Sequence, residues 1–184
     1  MAGPRFDKLL VLDIDETLVH ACEEPLARPA DLRVAGYHVY ERPGVRVFLE
    51  RVLELFTIGV WTSSGEGYAS LVVSALLERG RVAFVHARDR CVPRRDLETF
   101  ELVWLKDIRK LRSTGFPKER IVFVDDSPEK IARSYGNLVR VSPVEGATDD
   151  RELEALLAYL ELEIGPAANV RALEKRGWRR RYPT

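Results

Sequence analysis

Three short apolar runs along the chain each close on polar residues: Lys8 to Leu12 runs into Asp13, Phe56 to Trp61 into Thr62, and Ile121 to Val124 into Asp125. Short apolar runs rich in Val, Ile and Leu are the pattern of strands buried on both faces of a parallel sheet. Between them the apolar positions fall at helical spacing, most clearly at Val45, Phe48, Leu49, Val52 and Leu53, where Pro43 would sit near the first turn. Tyr68 to Leu77 and Leu102 to Leu111 predict two further helices, and Asp149 to Leu162 predicts a last one that stops before Gly165-Pro166. One segment breaks the rhythm. Leu32-Arg33-Val34 and Tyr37-His38-Val39-Tyr40 flank Ala35-Gly36, which predicts a β-hairpin flap beside the end of the first strand. Strands alternating with helices predict an α/β domain, a doubly wound parallel sheet with crossovers covering both faces.

Length fits this picture. A chain of 184 residues suits one domain over about residues 1–165, with Gly165-Pro166 opening a C-terminal extension over 166–184. The 29 basic and 29 acidic side chains cancel, so no overall field pulls the molecule toward nucleic acid or a membrane surface. Charge is instead local: the extension carries Arg171, Lys175, Arg176, Arg179, Arg180 and Arg181 against Glu174. Such a stretch is ordinarily a solvated face, and it is also the composition of an arm for an acidic partner. Cys22 and Cys91 have neither metal-ligand spacing nor the number for a disulfide framework, and Asp13 and Asp15 interrupt the first apolar run far short of a signal or membrane segment. The expected setting is the cytoplasm.

Ligands of open α/β sheets bind beyond the carboxyl ends of the strands, so the residues there are the candidates for chemistry. They are Asp13-Ile14-Asp15-Glu16-Thr17, Thr62-Ser63-Ser64 and Asp125-Asp126-Ser127-Pro128, with Lys106 on the helix expected before the last strand. An acidic pair after one strand is common in loops and caps. A second pair after another strand is different, because four carboxylates converging on one sheet edge repel each other unless a cation intervenes. Mg²⁺, a hard ion that takes carboxylate and carbonyl oxygens, is the economical choice. Ser63 and Ser64 would cap the following helix, Thr17 would shape its own loop, the three histidines show no metal spacing, and Trp61, Trp104 and Trp178 read as packing anchors.

Val11-Leu12-Asp13-Ile14-Asp15-Glu16-Thr17-Leu18-Val19-His20 resembles the first motif of the haloacid dehalogenase superfamily, and within it the branch of small C-terminal-domain phosphatases, whose motif reads DLDETLVH. The resemblance continues in order through Arg42-Pro43-Gly44, Trp61-Thr62-Ser63-Ser64, Lys106-Asp107 and Val124-Asp125-Asp126-Ser127-Pro128, and Arg88-Asp89-Arg90-Cys91 is similar to the family's RESC segment. It implies a Mg²⁺-dependent phosphatase. Asp13 would be the nucleophile, forming an aspartyl-phosphate, and Asp15 the general acid and base. Mg²⁺ would be held by the Asp13 carboxylate, the Asp15 backbone carbonyl and the Asp125-Asp126 pair, with Asp126 the better direct ligand. Thr62 would bind a phosphoryl oxygen and Lys106 would neutralise charge.

Relatives that act on small metabolites place a large cap domain over the site, and the segments from Asp13 to Thr62 and from Thr62 to Lys106 leave little room for one. An open site suits a phosphorylated protein segment carrying phosphoserine or phosphothreonine. The resemblance weakens between Val92 and Glu101, where peptide specificity would be set. Rival readings are a phosphatase for small metabolites or nucleic-acid ends, and a non-catalytic peptide- or presequence-binding protein of the same fold. Intact acidic motifs speak against the second, and Asp15, which a dehalogenase or phosphonatase would not need, speaks against those.

Overall fold

The computed structural model describes residues 3–77, 80–95 and 100–183. Strands β1 (Leu9–Leu12), β5 (Thr57–Trp61), β6 (Phe84–His86), β9 (Ile121–Asp125) and β10 (Leu138–Arg140) form one parallel sheet in the order β10-β9-β1-β5-β6. The chain builds outward from β1 to one side through β5 and β6, and then to the other through β9 and β10. Strand order therefore reverses at β1, which makes its carboxyl end the crevice where such sheets take ligands. β1 is buried at every position, and its neighbours are registered with Leu12 opposite both Val60 and Val124. That register puts Asp13 and Asp125 at one level, with Thr62 one residue further along its strand.

One face of the sheet is covered by α1 (Val45–Leu55), α2 (Glu66–Leu76) and α3 (Glu152–Tyr159), which bury Phe48, Leu49, Val72 and Leu156 against Leu10, Leu12, Ile58 and Val122. α3 continues as a π-helical turn over Leu160–Ile164. Past Gly165, Val170 and Trp178 are buried in the same cluster, Trp178 stacking on Tyr159 at 5.3 Å. The other face is covered by 3-10 turns, whose Leu111 and Ile131 pack on Leu9, Val11 and Phe123. Gly59 in β5 has no side chain to spare, since a Cβ there would lie 2.2 Å from the Phe84 ring of β6.

The expected flap is present and larger than the hairpin. β3 (Leu32–Val34) and β4 (Tyr37–Glu41) pair around Ala35-Gly36, and β2 (Val19–Cys22) adds to β4 as a third antiparallel strand. Arg42, fully buried where β4 gives way to α1, holds Asp150 through two hydrogen bonds of 2.8 and 2.9 Å and donates to the Thr17 carbonyl. The flap, the loop after β1 and the start of α3 are thereby locked to one guanidinium, a bidentate geometry that Lys could not reproduce.

Three sequence readings need correction. Leu102 to Leu111 is not a helix: β8 (Leu102–Leu105) pairs antiparallel with β7 (Val92–Arg95), and a 3-10 stretch follows at Ile108–Thr114. The apparent helical spacing came from adding a Leu-Val-Trp-Leu strand to a turn capped by the Asp107 side chain, which accepts from the Arg109 amide at 3.1 Å. Lys106 therefore stands at a strand end. α1 begins after Gly44, which takes a left-handed φ of 77°, with Pro43 outside the helix. β10 and β7 gave too short an apolar signal to read. Part of the divergent Val92 to Glu101 segment, residues 96–99, lies outside the described residues.

Candidate active site

The two carboxylates after β1 face different partners. Asp13 is buried, and its Oδ1 accepts from the Ile14 amide at 2.8 Å. Its Oδ2 meets the Lys106 ammonium at 2.9 Å and the Lys130 ammonium at 3.4 Å. Asp15 is half-buried and accepts from three hydroxyls: Tyr68 on Oδ1 at 2.7 Å, and Ser64 and Thr62 on Oδ2 at 2.7 and 3.2 Å. The separation follows from the backbone. Glu16 takes a left-handed φ of 58°, and the Leu18 amide returns to the Ile14 carbonyl at 2.8 Å, so the chain wraps into a tight loop. Asp13 is left on the β9 side and Asp15 on the β5 side.

Lys106 is the hinge of the charge balance. Its ammonium lies 2.6 Å from Asp125 Oδ2 as well as against Asp13, and its amide donates to the Lys130 carbonyl at 2.8 Å. Burial alone would lower its pKa, but the carboxylates of Asp125 and Asp13 outweigh it and raise the pKa. For Asp13 burial acts upward, and Lys106 and Lys130 overcome it, holding the carboxyl below its usual range. For Asp125 burial and the Asp13 charge win, pushing it up to about 7.

Asp13, Asp125 and Asp126 each present a carboxylate oxygen within 4.8 Å of the others. Two lysines face these three groups, which leaves the cluster short of positive charge. The Oδ1 of Asp126 is buried without a hydrogen-bond partner among the described residues, the Lys130 ammonium lying 3.9 Å away, while its Oδ2 accepts from the Ser127 hydroxyl at 2.9 Å. A buried carboxylate oxygen with no hydrogen bond, beside two further carboxylates, is the donor set that a hard divalent cation completes.

All the acidic candidates, with Thr62 and Lys106, meet at this one edge. The expected capping by Ser63 and Ser64 is not found: Gly65 caps α2, and Ser64 turns to Asp15 instead. Thr62 Oγ1 accepts from the Ser64 amide at 3.0 Å while donating to Asp15. Thr17 is buried in the loop. Arg90 stands exposed in a 3-10 turn after β6, where its carbonyl accepts from Lys110 at 2.8 Å. Trp61 and Trp178 are packing residues, as expected.

Tyr68 and Lys130 were not singled out from the sequence, and Ser64 was read there as a helix cap. Lys130 carried a usable signal, being close behind the Asp125-Asp126 pair. Tyr68 carried a weaker one, an aromatic hydroxyl in the first turn of a helix leaving the ligand edge. Its pKa is raised, first by burial and then by the Asp15 charge, so the hydroxyl is a donor and not an anion.

Residues 8–171 match the family described as NLI interacting factor-like phosphatase. The chain belongs to that family. Among relatives, the human "Carboxy-terminal domain RNA polymerase II polypeptide A small phosphatase 1" is 31% identical over 163 residues, covering 84% of this chain and 59% of the other. The "CTD small phosphatase-like protein 2" of Dictyostelium discoideum is 30% identical over 159 residues, covering 83% of this chain and 26% of the other. The chain thus spans less than two thirds of these curated relatives. In fold it is similar to the fission yeast RNA polymerase II CTD phosphatase Fcp1 bound to beryllium fluoride, with a TM-score of 0.58 at 20% identity over 83% of this chain and 45% of that one. The α/β architecture of this chain is that of the haloacid dehalogenase fold. Among its described residues no helix is long and apolar enough to cross a membrane.

Proposed function

We propose that the chain is a Mg²⁺-dependent phosphomonoester hydrolase that works through an aspartyl-phosphate on Asp13 and acts on phosphoserine or phosphothreonine in protein segments. The observation that carries this reading is the division of labour between Asp13, held among lysines, and Asp15, held by three hydroxyls. Asp13 attacks phosphorus and the bond to the leaving oxygen breaks, while Asp15 in its acid form gives that oxygen a proton. Water then attacks phosphorus, Asp15 takes the water's proton, and the Asp13–phosphorus bond breaks to release phosphate. Lys106 and Lys130 hold the Asp13 oxygen and balance charge on the phosphoryl group, and the Thr62 hydroxyl would turn from Asp15 to donate to it. Mg²⁺, held by Asp13, Asp126 and the Asp15 carbonyl, with Asp125 behind them anchoring Lys106, would screen the nucleophile from the substrate's negative charge.

Ser64 and Tyr68 act on Asp15 as positioning groups. Tyr68→Phe and Ser64→Ala are each expected to lower kcat about tenfold, the worth of a hydrogen bond to a charged group, and to leave KM within about twofold. The loss should be larger for an alkyl phosphate than for an aryl phosphate, because only the poorer leaving group depends on the acid. Equal losses on both would assign the two residues a merely structural part.

The substrate class rests on openness. Over the described residues only the three-stranded flap and the β7–β8 hairpin rise beside the site, and neither is a cap domain. With Mg²⁺ present, phosphoserine and phosphothreonine peptides are expected to be hydrolysed with kcat/KM at least about tenfold above sugar phosphates, whose binding needs enclosure. Equal rates on peptides and sugar phosphates would overturn the protein-substrate reading and favour the small-molecule one.

A further inference from the structure

A second charged cavity, of about 610 Å³, opens along the outer edge of the sheet between β10, the preceding 3-10 stretch Pro128–Asn137 and the segment after Gly165. Its walls carry Arg140, Arg171, Lys175, Arg176 and Arg179 against the single carboxylate of Glu174. Glu174 is taken by Arg176 at 2.7 Å, and Arg179 reaches Glu152 from outside the cavity. The other three cations have no carboxylate partner among the described residues. Arg140 Nε donates to the Asp126 carbonyl at 3.3 Å, and Arg171 reaches the Asn137 side chain only at 3.5 Å. Lys175 is buried, with its ammonium held by the Val170 and Leu173 carbonyls at 2.5 and 3.0 Å. An ammonium has three N–H groups, so one is left over.

Uncompensated cations in a concave wall are costly unless an anion completes them. The ring of Tyr135, more than half exposed, and the edge of Trp178 give the same cavity an apolar side. Its upper rim is tied to the active site. Arg140 is registered with Asp125, which neighbours Asp13 across the adjoining strand pair. With strands about 4.8 Å apart, Arg140 stands roughly 10 Å from the nucleophile.

We propose that this cavity is a docking subsite for a second phosphoryl group on the same peptide, lying about three to six residues from the phosphate that Asp13 attacks. The spacing follows from an extended chain advancing about 3.3 Å per residue across that distance and into the cavity. Guanidinium forks of Arg171 and Arg140 take the phosphoryl oxygens, the preferred geometry for a dianion, and Lys175 supplies the buried charge. The inference rests on the phosphopeptide reading above.

The test is equilibrium binding to the Asp13→Asn protein with Mg²⁺ present. It compares one peptide phosphorylated at a single serine with the same peptide phosphorylated also at a serine four residues away, on either side. The doubly phosphorylated peptide is expected to bind about tenfold tighter in one of the two directions, and Arg171→Glu, an exposed change, should bring the affinities within about twofold. Equal affinities in both directions, or a preference that survives Arg171→Glu, would overturn the subsite. So would a single-stranded RNA oligonucleotide of matched length that binds tighter than either peptide and is lost with Arg171→Glu. Turnover of the singly phosphorylated peptide by the unaltered protein is measured alongside: its absence overturns the phosphopeptide reading, while the binding ratio decides the cavity separately.

Discussion

Asp13→Asn is expected to lower the turnover of an aryl phosphate by about ten-thousand-fold or more, the scale on which a nucleophile's loss is felt in a site that acts as a unit. The amide keeps the shape and the hydrogen bond from Ile14 but cannot attack phosphorus. It also removes the carboxylate that Lys106 and Lys130 hold below its usual range, but Asp125 and Asp126 still face those lysines, so the loss of stability should be small beside the loss of activity. Stability and activity are thereby expected to part, which thermal unfolding and steady-state kinetics on the same preparation would show. Asp15→Asn should behave differently. An aryl oxide leaves without a proton, so formation of the intermediate survives while its hydrolysis, which needs a base, slows. Full activity in Asp13→Asn would remove the nucleophile from this account.

Lys106→Met is expected to fail in both respects. Its ammonium is shared by Asp13 at 2.9 Å and Asp125 at 2.6 Å, and all three side chains are about 1% exposed. Breaking a buried ion pair by removing one partner costs about 3–5 kcal/mol, because a charge is left without compensation. For a chain of this size that corresponds to roughly 10 °C in Tm. Mg²⁺ should restore part of the loss, since it binds the same oxygens in the folded state alone. Adding Asp125→Asn to Lys106→Met should restore most of the stability but little of the activity, as the phosphoryl group would still meet too little positive charge. An unchanged Tm in Lys106→Met, or full activity in the double variant, would contradict the part given to Lys106.

Much of this site was legible in the sequence because its acidic groups stand at the ends of apolar runs, and a parallel sheet brings such ends together. Asp13, Thr62 and Asp125 needed only that rule and the central position of β1. Lys106 was placed on the wrong element for a physical reason: a short strand followed by a capped turn can imitate helical spacing. It still reaches the site because a residue at a strand end points to the same edge. Ser64 and Tyr68 were hidden, since a hydroxyl reaching a carboxylate across the loop depends on the left-handed turn at Glu16. The cavity beside β10 was hidden more deeply. Its cations look like a solvated tail until Val170 and Trp178 are seen to anchor that tail in the core.

The central claim is the covalent one, and Asp15→Asn offers the most direct way to see it. The variant is mixed rapidly with excess aryl phosphate and Mg²⁺, quenched in acid, and digested for mass spectrometry, with the released phenol followed in parallel. The account predicts a burst of about one phenol per protein ahead of phosphate release, with the phosphoryl group on Asp13. Phenol and phosphate appearing together with no burst, or a phosphoryl group on any other residue, would contradict it.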